Sequence, residues 1–328
     1  MENKQNSLVR TDLALEAAEP FKNENNLPYG VTVDENYDEI NEIRVTVVDV
    51  TSDIGAKKLG KTIGKYITVE TPHMDEPDEG YHQEITKVLI EQLMQLLPGI
   101  AQRKILVAGI GNREITPDAL GPLVVEHLFI TRHLFQMYAP TSSILKGLGN
   151  ISAIAPGVMG QTGMEGQEII HGIIEETKPE VLIVIDALAA RSTQRLNRTI
   201  QLTNTGIHPG AGIGNHRNEL TEKTLGIPVI AIGIPTVIDA ATIVTDTMQN
   251  LFKALKSEAK QSVDIYRQDT FLKSILESFD IQEQHDLMRE VMDPGMLDMF
   301  VTPKDIDETI GRISFTISEA INGLCHRV

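Results

Sequence analysis

The sequence predicts an α/β protein, a largely parallel, doubly wound sheet flanked by helices, with a small β-rich N-terminal addition and a helical C-terminal region. Three observations lead there. Apolar runs of strand length, KILVAGI, VLIVI and PVIAIGIP, recur between stretches of helical periodicity, which is the alternation that builds parallel sheets. Before residue 100 the runs are different: Val31 to Val33, Ile43 to Val50 and Tyr66 to Val69 are separated by acidic or glycine-containing turns. After residue 256 the chain is first polar and then helical in pattern.

Each element follows from local signals. Met1 to Thr11 is polar and without periodicity, whereas DLALEAAE from Asp12 has the composition of a helix with Asp12 as its N-cap. The alternation in IRVTVVDV implies a sheet with one wet face, and the basic stretch Ala56 to Gly64 reads as a solvated turn. His73 to Tyr81 is acidic and loop-like; His73, Asp75 and Glu76 lack the regular spacing of a metal site. Glu84 to Leu97 is helical and ends at Pro98-Gly99. Further on come a strand at Ile151 to Ala155, the glycine-rich loop PGVMGQTGMEG, a helix from Gln167 to Glu176, and a strand at Thr199 to Leu202. The strand PVIAIGIP is expected to end at Pro235, with TVIDAATIVTDTMQNLFKAL as a helix that would hold Asp239. Helical stretches at Glu283 to Met292 and Lys304 to Leu324 close the chain.

Lys104 to Pro122 is the stretch where chemistry enters. The strand Lys104 to Ile110 is stopped by Gly109 and Gly111, and Thr116-Pro117 is a start signal for a helix through Leu120, Val124, Val125 and Leu128. Asp118 then lies just past the carboxyl end of a central strand, where open α/β sheets place their sites. Asp186 directly follows the apolar run Val181 to Ile185. A carboxylate closing such a run needs a partner or a task. Each aspartate also has a plain structural use, Asp118 at the helix dipole and Asp186 as a helix cap. Two carboxylates at neighbouring strand ends fit hydrolysis by activated water, either by sharing a proton or by holding a divalent ion that would need a third ligand.

Other chemistries are poorly supported. Neither GIGNRE nor GAGIGN fits a dinucleotide fingerprint, no G-x-x-x-x-G-K-[ST] occurs, and Ser152 and Ser192 lack a nucleophile elbow. His208, in HPGAGIG, suits a ligand, base or oxyanion donor as well as a packed loop; Arg191 and Arg217 suit an acidic substrate group as well as surface charge. Acidic residues outnumber basic ones by 46 to 29, so a net charge of -17 disfavours direct nucleic-acid binding and anionic membranes. Cys325 is the one cysteine, which excludes an internal disulfide and fits a reducing cytoplasm. No secretion signal or apolar span of about 20 residues is present, so the reading expects no membrane.

The segments VRTDLALEA, GIGNREITPDALGPLVVEHLFITRHLF, APGVMGQTGMEG, IDALAARS, GIHPGAGIGN and LGIPVIAIGIPTVIDA, with MFVTPKDID near the end, resemble the germination protease of spore-forming bacteria. That family is an endopeptidase family acting on small acid-soluble spore proteins. The resemblance implies a fold similar to hydrogenase maturation proteases and puts the catalytic aspartates on Asp118 and Asp186. It implies no cofactor by an atypical aspartic mechanism, with a divalent metal as the alternative; His208 and Arg191 are at most supporting, since the metal-binding histidine of the maturation proteases has no clear counterpart. It further implies a self-processing zymogen that prefers an acidic residue before the cut and a hydrophobic residue then Ala after it. Asp12-Leu13-Ala14 fits, so the expected cut lies between Asp12 and Leu13. The chain would then divide into a propeptide (1–12), a β-rich region integrated with the core (13–100), a catalytic α/β core (101–255) and a helical region (256–328). A homotetramer in the cytoplasm of the spore core is expected. The stretch from Gln261 to Ile281 is shorter than in the family and has no assigned role.

Overall fold

Strands with alternating burial and strands buried throughout are both present, and one sheet holds them. The computed structural model describes residues 13–23, 26–207, 219–244, 246–248, 250, 295 and 299–326. Asp12, His208 and Arg217 lie outside these, as do the stretches 261–281 and 283–292. In chain order the elements are α1 (Ala14–Asn23), β1 (Val31–Asp38), β2 (Ile43–Val50), α2 (Asp53–Leu59), β3 (Gly64–Glu70), α3 (Glu79–Leu96) and β4 (Lys104–Gly109). There follow α4 (Leu120–His127), α5 (Arg132–Met137), β5 (Asn150–Ile154), α6 (Met159–Thr162), α7 (Gly166–Thr177), β6 (Val181–Ala190) and β7 (Thr199–Thr203). The rest are α8 (Glu222–Leu225), β8 (Val229–Asp239), β9 (Phe300–Val301) and α9 (Ile306–Cys325).

Among the described residues the strand order is β1-β2-β3-β7-β8-β6-β4-β5, with β9 against β8. The half β8-β6-β4-β5 is parallel, and the β-rich addition joins it antiparallel through β3–β7 and β7–β8. One face carries a single apolar core that runs from Ile43 and Ile67 across Val107, Ile183 and Ile232, covered by α3, α4 and α9. Ile313, Ile317 and Ile321 of α9 are fully buried there, each contributing about 1.5–3 kcal/mol. The other face has two separate clusters. Ile170, Ile174 and Leu225 cover Leu106, Leu182 and Val184 over the parallel half, and Ala14, Ala18 and Leu59 cover Val48, Val50 and Tyr66 over the antiparallel half.

The structure departs from the sequence reading at four places, each for a local reason. The basic stretch is not a turn throughout: α2 forms because the Ser52 hydroxyl accepts from the Gly55 N–H at 3.0 Å and Gly60 closes the helix at φ 66°. Thr116-Pro117 opens a 3₁₀ turn, Thr116–Asp118, and α4 begins only at Leu120, so Asp118 precedes the helix. Strand β6 does not stop before Asp186 but runs to Ala190, because β8 continues beside it. Strand β8 in turn passes Pro235, which sits at a bulge: Leu188 pairs with Pro235 and Ala189 with Val237, leaving Thr236 extra. Asp239 therefore ends a strand, and its carboxylate accepts from the N–H and hydroxyl of Thr242 at 2.7 and 2.8 Å.

Candidate active site

The carboxyl edge of the parallel half is built around glycines. A Cβ on Gly109 would lie 2.1 Å from the Gly121 carbonyl oxygen, so only backbone-to-backbone contact lets the start of α4 sit on β4. Gly111 has φ +120°, and a Cβ there would lie 2.0 Å from the Asp118 carbonyl oxygen and 3.0 Å from its Oδ1. The chain thus folds back on itself, and the Asn112 N–H donates to Asp118 Oδ2 at 2.7 Å. That bond orients a half-buried carboxylate.

Three further contacts hold the turn. The bulged Thr236, fully buried, donates its hydroxyl to the Pro117 carbonyl at 2.6 Å. Thr116 donates to Asp307 of α9 at 2.7 Å. Gln161, from the glycine-rich loop, donates to the Asn112 side chain at 3.2 Å, bringing that loop beside Asp118. Sequence reasoning missed Thr236; the proline before it, marking a bulge inside an apolar run, was the available signal.

Asp186 stands one residue past the last β4–β6 pair, Gly109 with Ile185, and opposite Gly233 on β8. The Ala187 N–H donates to its Oδ1 at 2.9 Å. The turn carrying Asp118 contacts both β6 and β8, so the two aspartates belong to the same edge of the sheet. Asp186 also lines a cavity of about 390 Å³ in the gap between the two clusters on the second face. Tyr66, Leu188, Gln201, Thr203, Gly206 and Gly233 share that lining, and Asp118 does not. Ile207, which shares that lining, forms a bridge with Leu220.

Arg191 is not placed with the aspartates. It is half-buried beyond the end of β6; burial lowers its pKa, while the charges of Glu16, Glu19 and Asp246 oppose the shift. Its neighbour in function is Arg195, which reaches Glu16 at 3.1 Å and also pairs with Glu19 and, at 3.5 Å, Glu70. Burial works against the Arg195 charge, and the Glu19 and Glu16 carboxylates outweigh it and raise its pKa. These arginines hold α1 in place. They line or border a polar cleft of about 800 Å³ that contains neither aspartate. His73, weighed above as a metal ligand, bonds Glu42 and Glu76 at 2.7 and 2.9 Å on the same side.

Among the described residues, no group of three or more His, Cys, Asp and Glu side chains is arranged to hold a metal ion. Two carboxylates at one edge can activate a water between them or share an ion; a third ligand of the usual kind is not found among those residues. No helix among the described residues is long and apolar enough to cross a membrane.

Known proteins resemble this chain over most of its length. Residues 9–270 match the family model described as germination protease. The germination protease of Clostridium tetani is 45% identical over 316 residues, covering 96% of this chain and 94% of the relative. That of Clostridium acetobutylicum is 44% identical over 319 residues, with 96% and 94% covered. A [NiFe] hydrogenase maturation protease from Thermococcus kodakarensis is similar at a TM-score of 0.33 and 15% identity, over 70% of this chain and 98% of that one. The chain belongs to the germination protease family, and it is accordingly a peptidase.

Proposed function

We propose that the chain is an endopeptidase, made as a self-processing zymogen, that begins the breakdown of small acid-soluble spore proteins during germination. It cuts after Glu or Asp and before a hydrophobic residue followed by Ala, and its own first target is the Asp12–Leu13 bond. The observation that carries this reading is the packing of the Asp118 turn against the strand that bears Asp186.

In the mechanism, the two carboxylates share one proton, because like charges at short range cannot both ionise at neutral pH. The ionised partner takes a proton from water, and the protonated one donates to the carbonyl oxygen and then to the leaving amine. The Asn112 N–H orients the Asp118 carboxylate and the Ala187 N–H orients that of Asp186. The reaction needs no cofactor on this reading; a divalent ion on the same pair is the alternative. The working form is a homotetramer in the cytoplasm of the spore core, acting on protein and not on nucleic acid or membrane.

Replacing either aspartate by asparagine tests the reading. Asp118→Asn and Asp186→Asn should each lose self-processing and cleavage of a Glu-Phe-Ala peptide by at least about 10³-fold while keeping the wild-type melting transition. Cleavage retained in both variants refutes the assignment, and activity lost on exhaustive chelation moves the chemistry to the ion.

A further inference from the structure

Along β8, Ile230, Ile232 and Ile234 are buried in the core that α3, α4 and α9 cover. Thr236 is the next position in that alternating row. It is fully buried like the isoleucines before it, and it is polar. Valine would fill the place with nearly the same shape, so the hydroxyl is the group with a task. A buried hydroxyl is costly unless it is hydrogen-bonded, and this one donates to the Pro117 carbonyl at 2.6 Å.

That carbonyl belongs to the peptide unit that leads into Asp118. The N–H of the same unit donates to the Ile115 carbonyl at 2.8 Å. A trans peptide is planar, so holding both of its polar groups restrains the whole plane and, with it, the direction in which the Asp118 Cα is presented. On the far side of that Cα, the Asp118 carbonyl lies close against Gly111, and the carboxylate accepts from the Asn112 N–H. The other aspartate is tied to the same strand, because Asp186 pairs with Gly233, three residues before Thr236. Strand β8 thus engages both: Asp186 through the sheet ladder, Asp118 through one hydroxyl. The bulge makes this possible, since it leaves Thr236 without a ladder partner on β6. The Thr236 carbonyl in turn accepts from the Thr302 hydroxyl at 3.0 Å, so the bulge is held from the segment that joins β9 to α9.

We propose that Thr236 is a positioning residue for hydrolysis: its hydroxyl holds the Pro117–Asp118 peptide against β8 and so sets the placement of the Asp118 carboxylate relative to Asp186. The idea rests on the reading of these two aspartates as the pair that activates water. The hydroxyl acts on the reaction only through Asp118, by keeping the carboxylate in the geometry the transition state needs. Its loss therefore lowers kcat and leaves KM unchanged.

The test measures self-processing of the full-length chain by intact mass, and kcat and KM of the processed chain on a Glu-Phe-Ala peptide. Thr236→Val removes the hydroxyl at nearly constant volume and should lower kcat about tenfold, the factor one neutral hydrogen bond supplies, with KM unchanged and processing slowed alike. Thr236→Ser keeps the donor and loses a buried methyl group; it should stay within about threefold of wild type, whereas a role in packing alone would slow it as well. Where Thr236→Val fails to fold, Thr302→Val frees the Thr236 carbonyl from outside the core and should lower kcat about threefold with KM unchanged. Wild-type kcat in Thr236→Val, or in Thr302→Val where it stands in, overturns the assignment, as does equal slowing in Thr236→Val and Thr236→Ser. Asp118→Asn separates the two levels of the argument. If that variant still cleaves, the aspartate pair is misassigned and Thr236 with it; an inactive Asp118→Asn beside a fully active Thr236→Val removes Thr236 alone.

Discussion

Gly111 is the position with least freedom near the aspartates. Its φ of +120° and its approach to the Asp118 carbonyl oxygen mean that any side chain must displace the turn. Gly111→Ala should lower peptide cleavage at least about tenfold and cost about 1–3 kcal/mol in urea unfolding. Arg195 makes a different kind of demand. Its pairing with Glu16, whose side chain is 3% exposed, neutralises a carboxylate that water barely reaches. Arg195→Met should strand that charge and cost about 3 kcal/mol in urea unfolding; a Glu16→Gln, Arg195→Met double variant should recover part of it. That the turn of Asp118 and the strand of Asp186 would meet was legible because each follows an apolar run of strand length. The surroundings of Arg191 were not, because a lone arginine carries no sign of the charges that face it: Glu16 and Glu19 lie about 170 residues earlier in the chain.

Elements were legible in proportion to how local their causes are. The body of α3 from Glu84 to its close before Pro98, and β2 with its alternation, were visible as sequence, whereas the first turn of α3, capped by Asp78, lies in what read as a loop. Helix α2 was missed because Gly55 interrupts its pattern; the glycine is there since a Cβ would meet Val31 at 2.7 Å. The lengths of β6 and β8 were missed because each extends only in the other's company, and a proline at the bulge looks like an end. Helix α9 adds a titratable anchor. His326, just past its last residue, accepts from the Gly149 N–H through Nδ1 at 3.2 Å, and its Nε2 donates to the Phe129 carbonyl at 3.0 Å. The first contact requires the neutral ring, and burial lowers the pKa below 6.5 against the bond to Phe129, which raises it. Because the unfolded chain takes up the proton first, stability is complete above 6.5 and declines as pH falls through the lowered folded value. His326→Gln should flatten that decline, seen as a smaller difference in urea midpoint between about pH 7.5 and about pH 5.5.

At the scale of the whole molecule, the alternation of strands and helices announced a parallel sheet, and the wet-faced strands announced a β-rich addition. Sequence alone did not show that the addition enters the same sheet through β7, for strand pairing between residues some 130 apart leaves no local trace. That junction separates the two clusters on the second face and opens the cavity between them. It also imposes an order of events. During synthesis β1, β2 and β3 can pair among themselves early, yet their seat in the sheet does not exist until β7 has been made. The hydrogen bond from the Ala14 N–H to the Gln201 side chain waits equally long. A nascent chain shorter than about 200 residues has no strand on which to seat Ala14, so on the self-processing reading proposed above the N-terminus is trimmed only after β7 has been made.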